Sequence, residues 1–203
     1  MNVCKMEKFR EQIKCLHEKD DWRSILEVLN EEDKWYSYVL WIRPSAENLH
    51  FIAESVTSMG LHGLVSIGCG TGLLEWLLMM ATGLKVIGLE RDRRYWSSKP
   101  NFKPFLHHLY PEDCNFVECC TSEKYALAFC YFNYRDAFDD YIDNYKGTCV
   151  IIIGPGEGRG THTDPEPFDP KFRSKCWQLK DSQEICGTKD YIAVYTRPPL
   201  IDE

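Results

Sequence analysis

Three glycines set two residues apart, Gly68, Gly70 and Gly72, stand in the stretch LVSIGCGTGLLEWLL, and LKVIGLE follows it. The apolar run at 64–67 reads as a strand and residues 73–81 as a helix. Glycine lets a backbone approach a ligand closely and take torsions closed to other residues. A helix start offers free amides to an anionic or polar group. Glu90 ends the next apolar run, 85–89, 22 residues after Gly68. A carboxylate there accepts hydrogen bonds from ribose hydroxyls. Strand, loop, helix, strand and acid in this order describe a site for a nucleoside-bearing cofactor. Dinucleotide sites favour G-x-G-x-x-G, where helix amides meet a pyrophosphate; here the spacing is G-x-G-x-G.

The pattern resembles motif I of the class I S-adenosylmethionine-dependent methyltransferases, over roughly residues 45–197. The resemblance implies S-adenosylmethionine as cofactor, with Gly68, Gly70 and Gly72 lining its methionine part and Glu90 binding its ribose. It also places an acid or amide after strand three at the adenine amino group. With strand three at 103–109, that residue is Glu112 or Asp113. The other choice, 115–118, shrinks the following helix to about six residues, too short to cover the sheet, so the first is preferred. Two departures stand out. Ser66 occupies the place where the family often has Asp or Glu, which removes a carboxylate that organises the methionine end. And a Gly/Pro/His/Asp loop replaces the helix expected between strand five and the final hairpin, leaving a sheet face to be covered by the N-terminal segment.

Methyl transfer is an in-line displacement, so alignment supplies much of the rate and a base is needed only for a protonated nucleophile. In open α/β sheets ligands lie at the carboxyl ends of the strands, which directs attention to the loops after strands four and five. Asn133, followed by Tyr134, partly matches the family's amine-holding motif, without its prolines. Its other reading is the N-cap of a helix at 135–145. The loop GPGEGRGTHTDPEPFDP carries Glu157, Arg159, His162 and Asp164. There His162 reads as a general base oriented by Asp164, or as part of a polar loop. His-x-Asp lacks a third ligand, so no metal site is expected. The aromatics Trp35, Tyr36, Tyr38 and Trp41 read foremost as a helix face packed on the sheet, with closure over the cofactor as the alternative. His107 and His108 alternate, so at most one faces the core.

These residues need a scaffold, and the chain reads as one. Helical spacing covers the first thirty residues, and Ser45 reads as the N-cap of a helix through about Ser58 with Leu49, Ile52, Ala53 and Val56 on one face. Beyond Gly60, short apolar runs at 64–67, 85–89, 103–109, 126–132, 148–153 and 191–195 alternate with helical stretches. Several are apolar on both faces, as strands of a covered parallel sheet are. The expected fold is α/β: a doubly wound, mostly parallel seven-stranded sheet with a C-terminal antiparallel hairpin from 176–185 and 190–197. The expected division is an N-terminal helical extension, 1–43, and a Rossmann-like domain, 44–203. The segment 61–84 holds one formal charge, Glu75, but its five glycines read as strand, loop and helix rather than a membrane span.

The 203 residues carry a net charge of −7, with 44% hydrophobic and 13% aromatic residues, which excludes a disordered or collagen-like chain. The acidic balance weighs against nucleic acid as a partner, and Arg91, Arg93 and Arg94 read as a solvated face. Ten cysteines without CxxC spacing, and an N-terminus without an apolar leader, suggest reduced thiols in a cytoplasmic or nuclear protein. The expectation is a methyltransferase acting on a small molecule or protein side chain. A catalytically inactive, methyltransferase-like binding protein is the alternative, and a nicotinamide oxidoreductase ranks behind both.

Overall fold

The computed structural model describes residues 2–31, 36–98 and 103–199. Trp35 and the polar break at Glu32-Asp33 lie outside the described residues. Two helices, α1 (Asn2–His17) and α2 (Trp22–Glu31), lead through a 3-10 turn at Tyr36–Tyr38 to α3 (Ala46–Thr57). Then strands and helices alternate: β1 (Gly63–Ile67), α4 (Leu73–Thr82), β2 (Val86–Leu89), α5 (Arg93–Ser97), β3 (His108–Leu109), α6 (Phe116–Thr121), β4 (Tyr125–Cys130), α7 (Arg135–Asn144) and β5 (Cys149–Pro155). The hairpin β6 (Gln178–Ile185) and β7 (Asp190–Thr196) ends the described fold. Together the strands form a seven-stranded sheet in the order β3-β2-β1-β4-β5-β7-β6. β1 to β5 are parallel, and β7 runs antiparallel to both β5 and β6.

The order reverses between β1 and β4, and chain crossovers in opposite directions open a crevice at the carboxyl ends of those strands. β1 is buried along its whole length, as a strand with helices on both faces must be. One face packs Leu64, Ala126, Ile151 and Val194 under α1–α4. The other packs Val65, Phe129, Ile152 and Tyr195 under α6 and α7. Ser45 caps α3 in a reciprocal capping box with Asn48, and Leu49, Ile52, Ala53 and Val56 are all buried.

Four local expectations change. β3 is two residues long rather than seven, and residues 103–107 form a loop instead. α6 has six residues and still covers the sheet, because Phe116, Cys119 and Cys120 are all buried on it. β4 stops at Cys130 because Tyr131 takes a left-handed backbone, φ +50°, that ends the extended run. The face left by the missing helix is covered by the loop itself: Phe172 and Trp177 stack, 5.3 Å between centroids, against Tyr145 and Tyr195. The N-terminal helices cover the opposite face.

Candidate active site

The loop after β1 crosses the end of β2, where the amides of Gly68 and Cys69 donate to Leu89 O at 2.9 and 3.2 Å. Gly70 has φ +63° and Gly72 φ +76°. A Cβ on Gly72 would lie 2.9 Å from the backbone nitrogen of Leu106, so this glycine lets the loop pass under the 103–107 segment. A Cβ on Gly70 would meet nothing within 4 Å: this glycine faces open space. Its amide donates to Glu90 Oε1 at 2.6 Å, and Glu90 Oε2 accepts from the Arg91 amide at 3.2 Å. A carboxylate has about four acceptor positions, so Glu90 holds the loop and keeps capacity for a ligand hydroxyl.

A cavity of about 270 Å³ lies at this loop, lined by Gly68, Gly70 and Glu75 together with Tyr38, Trp41 and Trp96. The covering segment is an irregular strap rather than a helix face. It is tied down where Thr71 donates its hydroxyl to Val39 O at 2.6 Å, and Val39, Leu40 and Ile42 are buried beneath it. Pro44 follows two residues later, which stops a helix from forming through the strap. Tyr38 and Trp41 thus line the cavity at the glycine loop instead of forming a helix face packed on the sheet.

Glu112 and Asp113 do not join this cavity. Arg93 of α5 pairs with both, at 3.3 Å to Glu112 and 2.7 Å to Asp113. Asp113 also accepts from the Tyr110 amide at 2.8 Å, and these contacts hold its carboxyl below the usual range. A separate, more open groove of about 470 Å³ runs between α6 and α7, with Arg91, Pro111 and Tyr134 at its end.

Asn133 lies just past β4 and is exposed. It bridges in parallel register to Asp164, which brings the loops after β4 and β5 side by side. It is not the cap of α7: Tyr134 holds that position without a side-chain bond. His162 is exposed one residue before the buried Thr163. The Asp164 carboxylate, expected to orient His162, pairs instead with Arg135 of α7, which also donates to Pro170 O at 2.8 Å. This couple anchors the loop.

Tyr131 and Asp190 belong to the site without any sequence motif that marks them. Tyr131 donates to Asp190 Oδ1 at 2.6 Å, and its ring stacks on exposed Trp41, 5.7 Å between centroids. Asp190, 1% exposed, also accepts from Arg159 at 3.2 Å, and Arg159 reaches the Tyr36 hydroxyl. This network joins strap, β4, the 156–177 loop and hairpin at the cavity's rim. Glu75 was visible in sequence only as a lone charge in an apolar stretch. Among His107 and His108, the latter is buried, and burial pushes its pKa down to about 4.

An O-methyltransferase from Bacillus cereus, solved in complex with S-adenosylhomocysteine, is similar to this chain over 87% of its length and 90% of the other, with TM-score 0.51 and 14% identity. The chain has the fold of the Rossmann-like S-adenosylmethionine-dependent methyltransferases. The mitomycin 7-O-methyltransferase MmcR matches over 74% of this chain and 55% of its own, so the chain spans about half of that protein (TM-score 0.42, 14% identity). An RNA methyltransferase from Salinibacter ruber matches over 78% and 93%, with TM-score 0.44 and 16% identity. No protein-family profile and no curated protein sequence matches. The expectation that nucleic acid is an unlikely partner does not stand, because solved structures named as RNA methyltransferases are among those this chain is similar to. Net charge averages over a whole surface, whereas a polynucleotide meets one face of it. Among the described residues no helix is long and apolar enough to cross a membrane; residues 61–84 divide into β1, the loop and α4, as expected.

Proposed function

We propose that the protein is an S-adenosylmethionine-dependent methyltransferase, on one main observation: the open face of Gly70, held by Glu90 at the floor of an aromatic-walled cavity. The residues present fit that cofactor. Gly68, Gly70 and Gly72 give its methionine part close backbone approach, and Glu90 retains lone pairs for the ribose hydroxyls. The 103–113 segment, with Glu112 and Asp113, borders the adenine end once Arg93 releases one of them. The cofactor supplies an electrophilic methyl group on a sulfonium. The chain's own part is to exclude water and align an acceptor. Trp41, which lines the cavity, and Tyr131, stacked on it, form the acceptor's entrance, with Asn133 after β4 as the group that holds the acceptor and His162 in the adjoining loop as the proton acceptor where one is needed. Residues 1–43 and the 154–175 loop select among small molecules, protein side chains and polynucleotides.

Thermal unfolding with S-adenosylmethionine, S-adenosylhomocysteine and NAD side by side tests the cofactor. A ligand at about 100 times its Kd adds roughly 2.7 kcal/mol. The two adenosyl compounds should shift the transition and NAD should not, and Glu90→Ala should lose the shift while staying folded. A shift with NAD alone would sink the reading. The second reading, a cofactor-binding protein without transfer activity, is favoured by Ser66 and by an Asn133-Tyr134 pair lacking prolines. It predicts binding without label transfer from methyl-labelled cofactor to any protein, RNA or metabolite fraction.

A further inference from the structure

Glu75 is 3% exposed, in the first turn of an otherwise apolar helix. Its Oε1 accepts the Ser66 hydroxyl at 2.6 Å, from the neighbouring strand β1. Its Oε2 is buried and has no hydrogen-bond partner among the described residues. A carboxylate in such a place is costly unless something positive meets it. The charge felt most there is Glu90, of the same sign. Burial first, and then the nearby Glu75, raises the thiols of Cys69 in the loop and Cys130 at the end of β4. Tyr38 and Tyr95 line the same cavity. On α3 and α2, which pack on α4, Glu47, His50, Glu54, Arg23 and Glu27 are exposed. Glu75 itself lines the cavity, together with the aromatic residues Tyr38, Trp41 and Trp96. Aromatic walls suit a cation.

A purely structural Ser66–Glu75 bond would tie α4 to β1, but a glutamine would make that bond as well and without ionisation. The orphaned oxygen is what a structural role leaves over. We propose that Glu75 receives the ammonium group of the cofactor's amino-acid end, supplying from α4 the carboxylate that β1 lacks at Ser66, and that it gives up its proton when that group arrives. The proposal rests on the cofactor reading above. The step balances: a carboxylic acid and a free ammonium become a buried carboxylate–ammonium pair, and one proton goes to solvent. Burial pushes the Glu75 pKa up to about 7, so near pH 6 the acid form is the one the ligand meets.

Calorimetric titration of the full chain with S-adenosylhomocysteine and with 5′-methylthioadenosine separates the two claims. The second compound keeps the nucleoside and thioether but has no amino-acid end. Wild type should prefer S-adenosylhomocysteine by roughly 10- to 100-fold, the scale of a hydrogen bond to a charged group. At pH 6, in buffers of different protonation enthalpy, its binding should release close to one proton, and far less at pH 8. Glu75→Gln should bind both compounds about equally, release no proton, and raise the Tm of the ligand-free protein at pH 8. Retained 5′-methylthioadenosine binding reports that this variant is folded; should it not fold, the preference and proton release of wild type decide alone. If wild type binds 5′-methylthioadenosine but gains nothing from the amino-acid end, or if Glu75→Gln keeps preference and proton release, this proposal fails and the cofactor reading stands. If neither compound binds wild type, both fail.

Discussion

A single methyl group distinguishes the two roles a glycine plays in this loop. Gly72 has both φ +76° and Leu106 backbone 2.9 Å from its absent Cβ. Gly72→Ala therefore adds a steric clash to the left-handed penalty of roughly 1–2 kcal/mol, and it should lower urea stability whether or not a ligand is present. Gly70 has φ +63° but empty space above it. Gly70→Ala should cost about 1 kcal/mol in ligand-free stability. It should also weaken S-adenosylhomocysteine binding about tenfold, equivalent to about 1.4 kcal/mol, because the new methyl stands where the ligand approaches. Urea melts and titrations on the two variants check the contrast. Equal ligand affinity in Gly70→Ala and wild type would mean the open face is not the ligand's.

At the scale of elements, the cavity is built from pieces that are far apart in sequence, and a few buried polar contacts hold them in register. Asp190 begins β7, accepts from Tyr131 after β4 and from Arg159 after β5, and through Arg159 reaches Tyr36 in the strap. Removing one partner of a buried pair leaves the other uncompensated. Arg159 is 28% exposed and keeps some water, so Asp190→Ala should cost about 2–3 kcal/mol, below the fully buried range. Limited proteolysis should then cut first in the 156–177 loop. Loss of stability without new cleavage there would show that the network does not pin the loop. These long-range ties also mark where sequence reading stops. The glycine loop, Glu90, the sheet order's hairpin and the α3 face were legible because each is a local pattern. β3 and the strap were not: two residues make a strand only because β2 offers an edge beside them, and Trp41 and Tyr38 look like a helix face until Thr71 is seen holding Val39. Nor did spacing reveal that Asp164 pairs with Arg135, 29 residues away. Glu75 is the intermediate case, a charge out of place in an apolar run, whose partner Ser66 carries no sign of the pairing in sequence.

Across the whole molecule, two buried ionisable groups push stability in opposite directions with pH. Burial, with a smaller contribution from His107, lowers the His108 pKa to about 4. The native state thus binds fewer protons than the unfolded one between about pH 4 and 6.5, and stability from this group is present above pH 6.5 and lost as pH falls towards 4. Glu75, raised by burial to about 7, binds its proton longer in the native state than in the unfolded one. Its contribution is fully present below about pH 4.5 and is lost as pH rises through 7. Each effect amounts to about 3 kcal/mol at 1.4 kcal/mol per pH unit, and between pH 4.5 and 6.5 they largely offset. Difference curves isolate them, since every other group is common to the proteins compared. Measured by urea unfolding from pH 4 to 8, Glu75→Gln should gain on wild type steadily as pH rises from 4.5 to 7. His108→Gln should gain on wild type as pH falls from 6.5 to 4. A flat difference curve for Glu75→Gln would mean that the carboxyl ionises as freely in the folded protein as outside it. The cavity would then already be wet and polar enough to hold a charge, and no cation would be needed to settle it.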